Sequence, residues 1–152
     1  MAGLNGYAAW PVTNCNANTQ TVMQLVAPTN QRLRVTALEI SFDGTNSANA
    51  PAAVSIERQT GGTFTNTSVA PKKTNDPSGT GETLQANTKN TQTVAPTSGD
   101  IMRNFYIPVF GGLVVYPFAP GQEVMVPGGT TLGVKVTTTA QVNCFGGLCY
   151  EE

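Results

Sequence analysis

Hydrophobic and polar residues alternate along this chain in short runs, broken every few residues by Gly, Pro, Asn or Thr. The run at 131–138 alternates cleanly, with Leu132, Val134 and Val136 on one side and Thr131, Gly133 and Lys135 on the other. A period of two over that length predicts a strand with one face buried. The same reading predicts strands at 21–26, 53–59, 63–65, 102–110, 113–116, 122–126 and 141–150. Gly61-Gly62 reads as a hairpin turn, and Pro127-Gly128-Gly129 closes the strand before it. In the last strand the expected inner face is Val142, Cys144, Leu148 and Tyr150. No long window carries apolar residues at helical spacing, so helices are not expected.

The run at 32–42 is apolar but changes phase. Leu33, Val35 and Ala37 share one face, whereas Leu38, Ile40 and Phe42 continue on the other. Because side chains alternate strictly, the change implies a bulge, a strand passing from one sheet to another, or a middle buried on both faces. At 53–59, Val54, Ile56 and Arg58 oppose Ser55, Glu57 and Gln59. Roughly eight or more short strands separated by turns predict an all-β fold, a single-domain β-sandwich of jelly-roll-like type.

Two segments lack this pattern. Residues 1–19 are small and polar apart from Tyr7, Trp10 and Val12, and read as an extended N-terminal arm preceding a domain at 20–152. Residues 66–100 are rich in Thr, Asn, Pro, Gly and Ser and read as a long polar insertion or second arm, with 82–89 its best hidden strand. Arms of this kind order by pairing with neighbouring subunits, and the docking contacts expected on them are Tyr7, Trp10, Val69, Leu84 and Val94. Of the aromatic residues Phe64, Phe105, Tyr106, Phe110, Tyr116, Phe118, Phe145 and Tyr150, most are expected in the core.

Composition narrows the chemistry. The chain has 152 residues, enough for one domain with its own core, and contains no histidine. Histidine is the usual base near neutral pH and the commonest transition-metal ligand, so an enzyme or a metal centre is not expected, and neither is a cofactor. With 8 Lys and Arg against 9 Asp and Glu there is no basic face for nucleic acid. Lys72-Lys73 and the Arg32, Arg34 pair read as solvated surface. No run approaches the ~20 apolar residues that span a bilayer, and the first residues lack a basic and apolar leader, so synthesis in a cytoplasm and no membrane association are expected.

Candidate reactive groups are sparse. Ser98-Gly99-Asp100 has no base nearby in sequence. Asp43-Gly44 is ordinary turn chemistry, without the ligand set of a calcium loop. Asn66-Thr67-Ser68 matches the glycosylation pattern but reads as a loop coincidence in the absence of a leader. A glycosidase needs two facing carboxylates, and nothing places any two of Glu39, Glu57, Glu82, Asp100 and Glu123 together. The three cysteines, Cys15, Cys144 and Cys149, are expected as free buried thiols. Only a hairpin at Gly146-Gly147 would make Cys144 and Cys149 neighbours.

Residues 32–44 (RLRVTALEISFDG), 54–63 (VSIERQTGGT), 116–123 (YPFAPGQE) and 126–136 (VPGGTTLGVKV), with the ending Tyr150-Glu151-Glu152, carry a likeness. Across 31–65 and 113–152 the chain resembles the small decoration, or cement, proteins of tailed-phage heads, of jelly-roll or β-sandwich type. The resemblance implies a non-enzymatic virion protein, commonly a homotrimer, that binds the major capsid protein on the outer capsid surface and braces it. It carries no catalytic residue. The alternative expectation is a tail, fibre or adhesin-like module that binds glycans.

Overall fold

The computed structural model describes residues 3–44, 50–74, 83–110 and 112–152. Among these the chain forms twelve strands and no helix. They are β1 (Asn5–Asn16), β2 (Thr19–Val26), β3 (Leu33–Phe42), β4 (Ala52–Thr60), β5 (Thr63–Val69) and β6 (Lys72–Lys73). The second half holds β7 (Asn87–Val94), β8 (Thr97–Ile107), β9 (Leu113–Pro117), β10 (Val124–Val126), β11 (Thr131–Thr137) and β12 (Gln141–Glu151).

The strands make two antiparallel sheets packed face to face, a β-sandwich. The first runs β10-β3-β12-β1-β6, with β9 also paired to β3; the second runs β5-β7-β2-β11-β4-β8. Chain-adjacent strands cross between sheets at each of the first three connections and again from β10 to β11 and β11 to β12. The strand order thus sets β1-β12-β3-β9 against β2-β11-β4-β8, a jelly-roll-like order. Val22, Met23, Leu25, Leu38, Ile40, Ile56, Leu132, Val134 and Leu148 meet between the sheets and are fully or almost fully buried. Val142, Cys144, Leu148 and Tyr150 are buried along β12, as the alternation predicts.

The phase change in β3 is a bulge. Ala37 opposes Cys149 and Val35 opposes Tyr150, so Thr36 has no opposite number. The extra residue turns Leu33 and Val35 inward before the bulge and Leu38, Ile40 and Phe42 inward after it.

Three elements differ from the sequence reading. Residues 5–16, expected as an arm, form a strand inside the first sheet, paired with β12 on one side and β6 on the other. Its inward positions are Gly6, Ala8 and Trp10. The Tyr150 ring fills the space over Gly6, where a Cβ would lie 2.5 Å from it. Small residues thus complete a core whose bulk comes from the opposite strand.

Gly61-Gly62 does not fold β5 back on β4. Thr60 pairs with Thr97 and Thr63 with Val94, so β4 and β5 run on along β8 and β7 as one long two-stranded ribbon. Both glycines take positive φ, 67° and 82°, where L side chains are strained, and the ribbon bends there. The bend carries β7 around to pair with β2.

The polar insertion is largely the far half of this ribbon, paired within its own chain. The hidden strand begins at Asn87, later than expected, and Glu82 lies outside the described residues.

Candidate docking surface

Six of the eleven exposed large apolar residues among the described ones lie along one margin of the sandwich. Here, among the described residues, β8 ends the second sheet, and β9 pairs only with β3 in the first. Tyr106 is 79% exposed, and Ile101, Phe110, Leu113, Val115 and Tyr116 are exposed with it. On β8 three apolar residues follow one another, Phe105, Tyr106 and Ile107, so one of the two strand faces must point outward. On β9 the same holds for Leu113, Val114, Val115 and Tyr116.

Aromatic contacts tie the two edges together. Phe105 of β8 and Tyr116 of β9 have ring centroids 4.7 Å apart at 54°, and Tyr116 meets Phe118 edge-on at 5.6 Å. The Arg103 guanidinium sits 5.5 Å from the Phe118 ring centre, closing the set back onto β8. A groove of about 190 Å³ opens between the edges, lined by Leu38, Phe105, Tyr106, Ile107, Pro108, Val114 and Tyr116. A second groove of about 260 Å³ shares Phe105 and Tyr106 and adds Ser55, Asn104, Lys135 and Thr137.

Beside the second groove lies a buried polar network. Glu57 is 0% exposed, and its Oε2 is 2.7 Å from Lys135 Nζ. Gln59 Nε2 and Ser98 Oγ donate to Oε1, and Ser55 Oγ donates to Oε2. The network continues from Gln59 Nε2 to Thr21 Oγ1 and from Gln24 Nε2 to Gln59 Oε1. Burial pushes the Glu57 carboxyl up, but the hydrogen bonds from Gln59, Lys135 and Ser98 outweigh it and hold the pKa below the ordinary value.

Ser98, which lacks a base nearby in sequence, therefore has a carboxylate and an ammonium beside it in space; Lys135 Nζ donates to its Oγ at 3.0 Å. A carboxylate held in its charged form by an ion pair is a weak base, and an ammonium paired to it has no lone pair to accept a proton. The arrangement thus fixes strands and does not activate the serine.

The five residues expected to dock do not form one surface. Trp10 is 3% exposed and belongs to the core. Tyr7 is half-buried over Gly147, and burial, with a hydrogen bond to Glu39, pushes its phenol up to about 12. Leu84 packs against the core ahead of β7. Val69 and Val94 are exposed at opposite ends of the β5–β7 ribbon, on the second sheet. Of the aromatic residues from Phe64 to Tyr150, most of which are expected in the core, Tyr106, Phe110, Tyr116 and Phe145 are exposed. The signal for the margin was present in the unbroken apolar runs at 105–107 and 113–116, which leave no polar face.

The remaining candidates separate. Glu123 faces Arg34, which also pairs with Glu151, and Glu39 lies near Cys149. Asp43 accepts hydrogen bonds from Asn143 and leads into a positive-φ turn at Gly44. Gly146 and Gly147 lie inside a continuous β12, so Cys144 and Cys149 point to opposite faces. Among the described residues no cluster of three His, Cys, Asp or Glu side chains could hold a metal ion, and no helix is long and apolar enough to cross a membrane. No protein-family model matches the chain, and no curated protein or solved structure does so either.

Proposed function

We propose that this chain is a non-enzymatic structural protein of a phage particle, which decorates and stabilises the head by binding the major capsid protein lattice as a homotrimer. The observation that carries the reading is the β8–β9 margin, where two free strand edges and an apolar groove stand side by side. A free edge pairs by strand addition, and apolar residues flanking it supply the burial that main-chain hydrogen bonds alone do not. The jelly-roll-like sandwich agrees with the likeness to head decoration proteins. Weak contacts repeated by symmetry suit a protein with net charge -1, whose docking does not depend on charge attraction.

The test is the protein's location and copy number in purified particles, read by cryo-EM and quantitative mass spectrometry. On the order of hundreds of copies at lattice positions is the expected result. A few to tens of copies, confined to the tail, would overturn it.

One observation favours a second reading, a glycan-binding tail or fibre module. Tyr106 and Phe105 line the second groove beside Asn104 and Lys135, an aromatic platform with polar groups at its rim. Binding of the isolated protein to host surface glycans, lost in Tyr106→Ala, would support that reading over a capsid location.

A further inference from the structure

Cys15 on β1 and Cys144 on β12 have their sulfurs 3.4 Å apart, and both residues are fully buried. In the ladder between the strands, Thr13 opposes Cys144 and Cys15 opposes Val142, so the cysteines are diagonal neighbours on the core-facing side. Diagonal neighbours in a regular ladder stand about 7–8 Å apart, at the limit of what a disulfide bridges. This ladder is not regular. Its register shifts between Trp10 and Thr13, and β1 ends at Asn16 before Ala17, which has φ 49°. Residues 13–16 therefore lie between a bulge and a turn, where the strand can yield the last ~1.4 Å of sulfur separation.

We infer that Cys15 and Cys144 form an intramolecular disulfide when opening of the β1 end, between its bulge and the turn, exposes them to a small disulfide oxidant such as oxidised glutathione. Cys15 is the attacking group. The two thiols are within hydrogen-bonding distance, with either able to donate, and Gln20 Nε2 donates toward the Cys15 sulfur at 3.8 Å. The bond from Cys144 lowers the Cys15 pKa against the opposing effect of burial, and the bond to Cys15, together with burial, raises that of Cys144.

The Cys15 thiolate attacks one sulfur of oxidised glutathione and expels the other as glutathione thiolate. Cys144 then loses its proton and attacks the Cys15 sulfur of the mixed disulfide, expelling the second glutathione. Two protein thiols are oxidised and one glutathione disulfide is reduced to two thiols. Cys149 is on the other face of β12 and takes no part. The bond staples a strand at one end of the chain to a strand at the other, across a separation of 129 positions, a long loop of the kind that restricts the unfolded chain most. This inference rests on thiol geometry and stands apart from the phage reading.

The folded full-length chain is incubated with oxidised glutathione, and a parallel sample is refolded in its presence. Intact mass should fall by about 2 Da, and peptide mapping should recover Cys15 linked to Cys144. Cys149→Ser should behave identically, whereas Cys15→Ser and Cys144→Ser should keep their remaining thiols unlinked. Thermal unfolding of the oxidised chain should rise by about 10 °C and return with dithiothreitol. A link through Cys149, or two free thiols in Cys149→Ser after both treatments, overturns the inference; an unchanged Tm in the linked chain overturns the stapling role.

Discussion

Replacing Lys135 with Met strands a carboxylate inside the protein. Glu57 is fully buried, and Lys135 is its only cationic partner within 4.0 Å among the described residues. Removing one partner of a buried ion pair costs about 3–5 kcal/mol, because the remaining charge has lost both water and counter-charge. Three donors, from Gln59, Ser98 and Ser55, still reach the carboxylate. The Lys135 side chain is also 24% exposed, so the pair is not wholly in low dielectric. Together these bring the expected loss at pH 7 to about 2–3 kcal/mol.

Glu57→Gln should cost less, about 1–2 kcal/mol, since the stranded ammonium can turn toward water. In wild type the Glu57 pKa is lowered, so its contribution is present above the unfolded pKa, about 4.3, and is lost as pH falls through the folded value. In Lys135→Met the folded pKa rises above its wild-type position, so the loss relative to wild type is full where both carboxyls are ionised and vanishes once both are protonated.

Urea unfolding at fixed m should therefore show a Cm about 1 M below wild type at pH 7 and a much smaller gap near pH 4. A gap that stays constant with pH, or a Glu57→Gln variant less stable than Lys135→Met, would refute the assignment of Glu57 as a buried, paired carboxylate.

Other perturbations separate the core from the margin. Tyr106→Asp with Leu113→Asp should change stability by no more than about 0.5 kcal/mol per site while abolishing attachment to particles, checked by Tm and co-sedimentation. Deleting residues 1–19 should unfold the protein and not merely release it, because β1 carries Ala8, Trp10 and Cys15 into the core; circular dichroism and thermal scans decide. Gly133→Ala should cost about 1–3 kcal/mol, since a Cβ there would sit 2.1 Å from Gln59, a side chain pinned by Gln24, Thr21 and Glu57. An unchanged Tm would mean that Gln59 moves aside freely.

The sandwich was legible where alternation is carried by large residues. Leu132, Val134 and Val136 on β11, and the phase change of β3, could be read because each inward position bears its own bulk. At β1 the first inward positions are Gly6 and Ala8, the volume above Gly6 is filled by Tyr150 from the neighbouring strand, and the bulge between Trp10 and Thr13 breaks the alternation before Cys15. Hydropathy assigns such a strand no face, and it read as an arm.

The polar network was hidden for the opposite reason. The faces of β4 were assigned correctly for Val54, Ile56 and Glu57, but nothing in the residue types says that the polar face is also covered. Arg58, grouped with Val54 and Ile56 on one face, is exposed beside the register shifts of the β4–β8 ladder. The docking margin needed both kinds of information: the unbroken apolar runs mark strands with no polar face, and only topology shows that these strands are edges.

Edge position and aromatic bridging have a joint consequence. Packed sheets lie about 10 Å apart, and a lone edge strand accepts many extended segments in several registers. Here two edges from different sheets are held at one spacing by the Phe105–Tyr116 contact and by Arg103 against Phe118. A partner that pairs with one edge meets the second as an intramolecular event, at an effective concentration set by that fixed spacing. A partner with the wrong separation gains only one contact. Selectivity can thus arise from geometry without charge, in a chain where only 11% of residues are charged. The buried Glu57–Lys135 pair joins β4 to β11 within the second sheet, next to β8, and so braces one of the two edges from its own sheet.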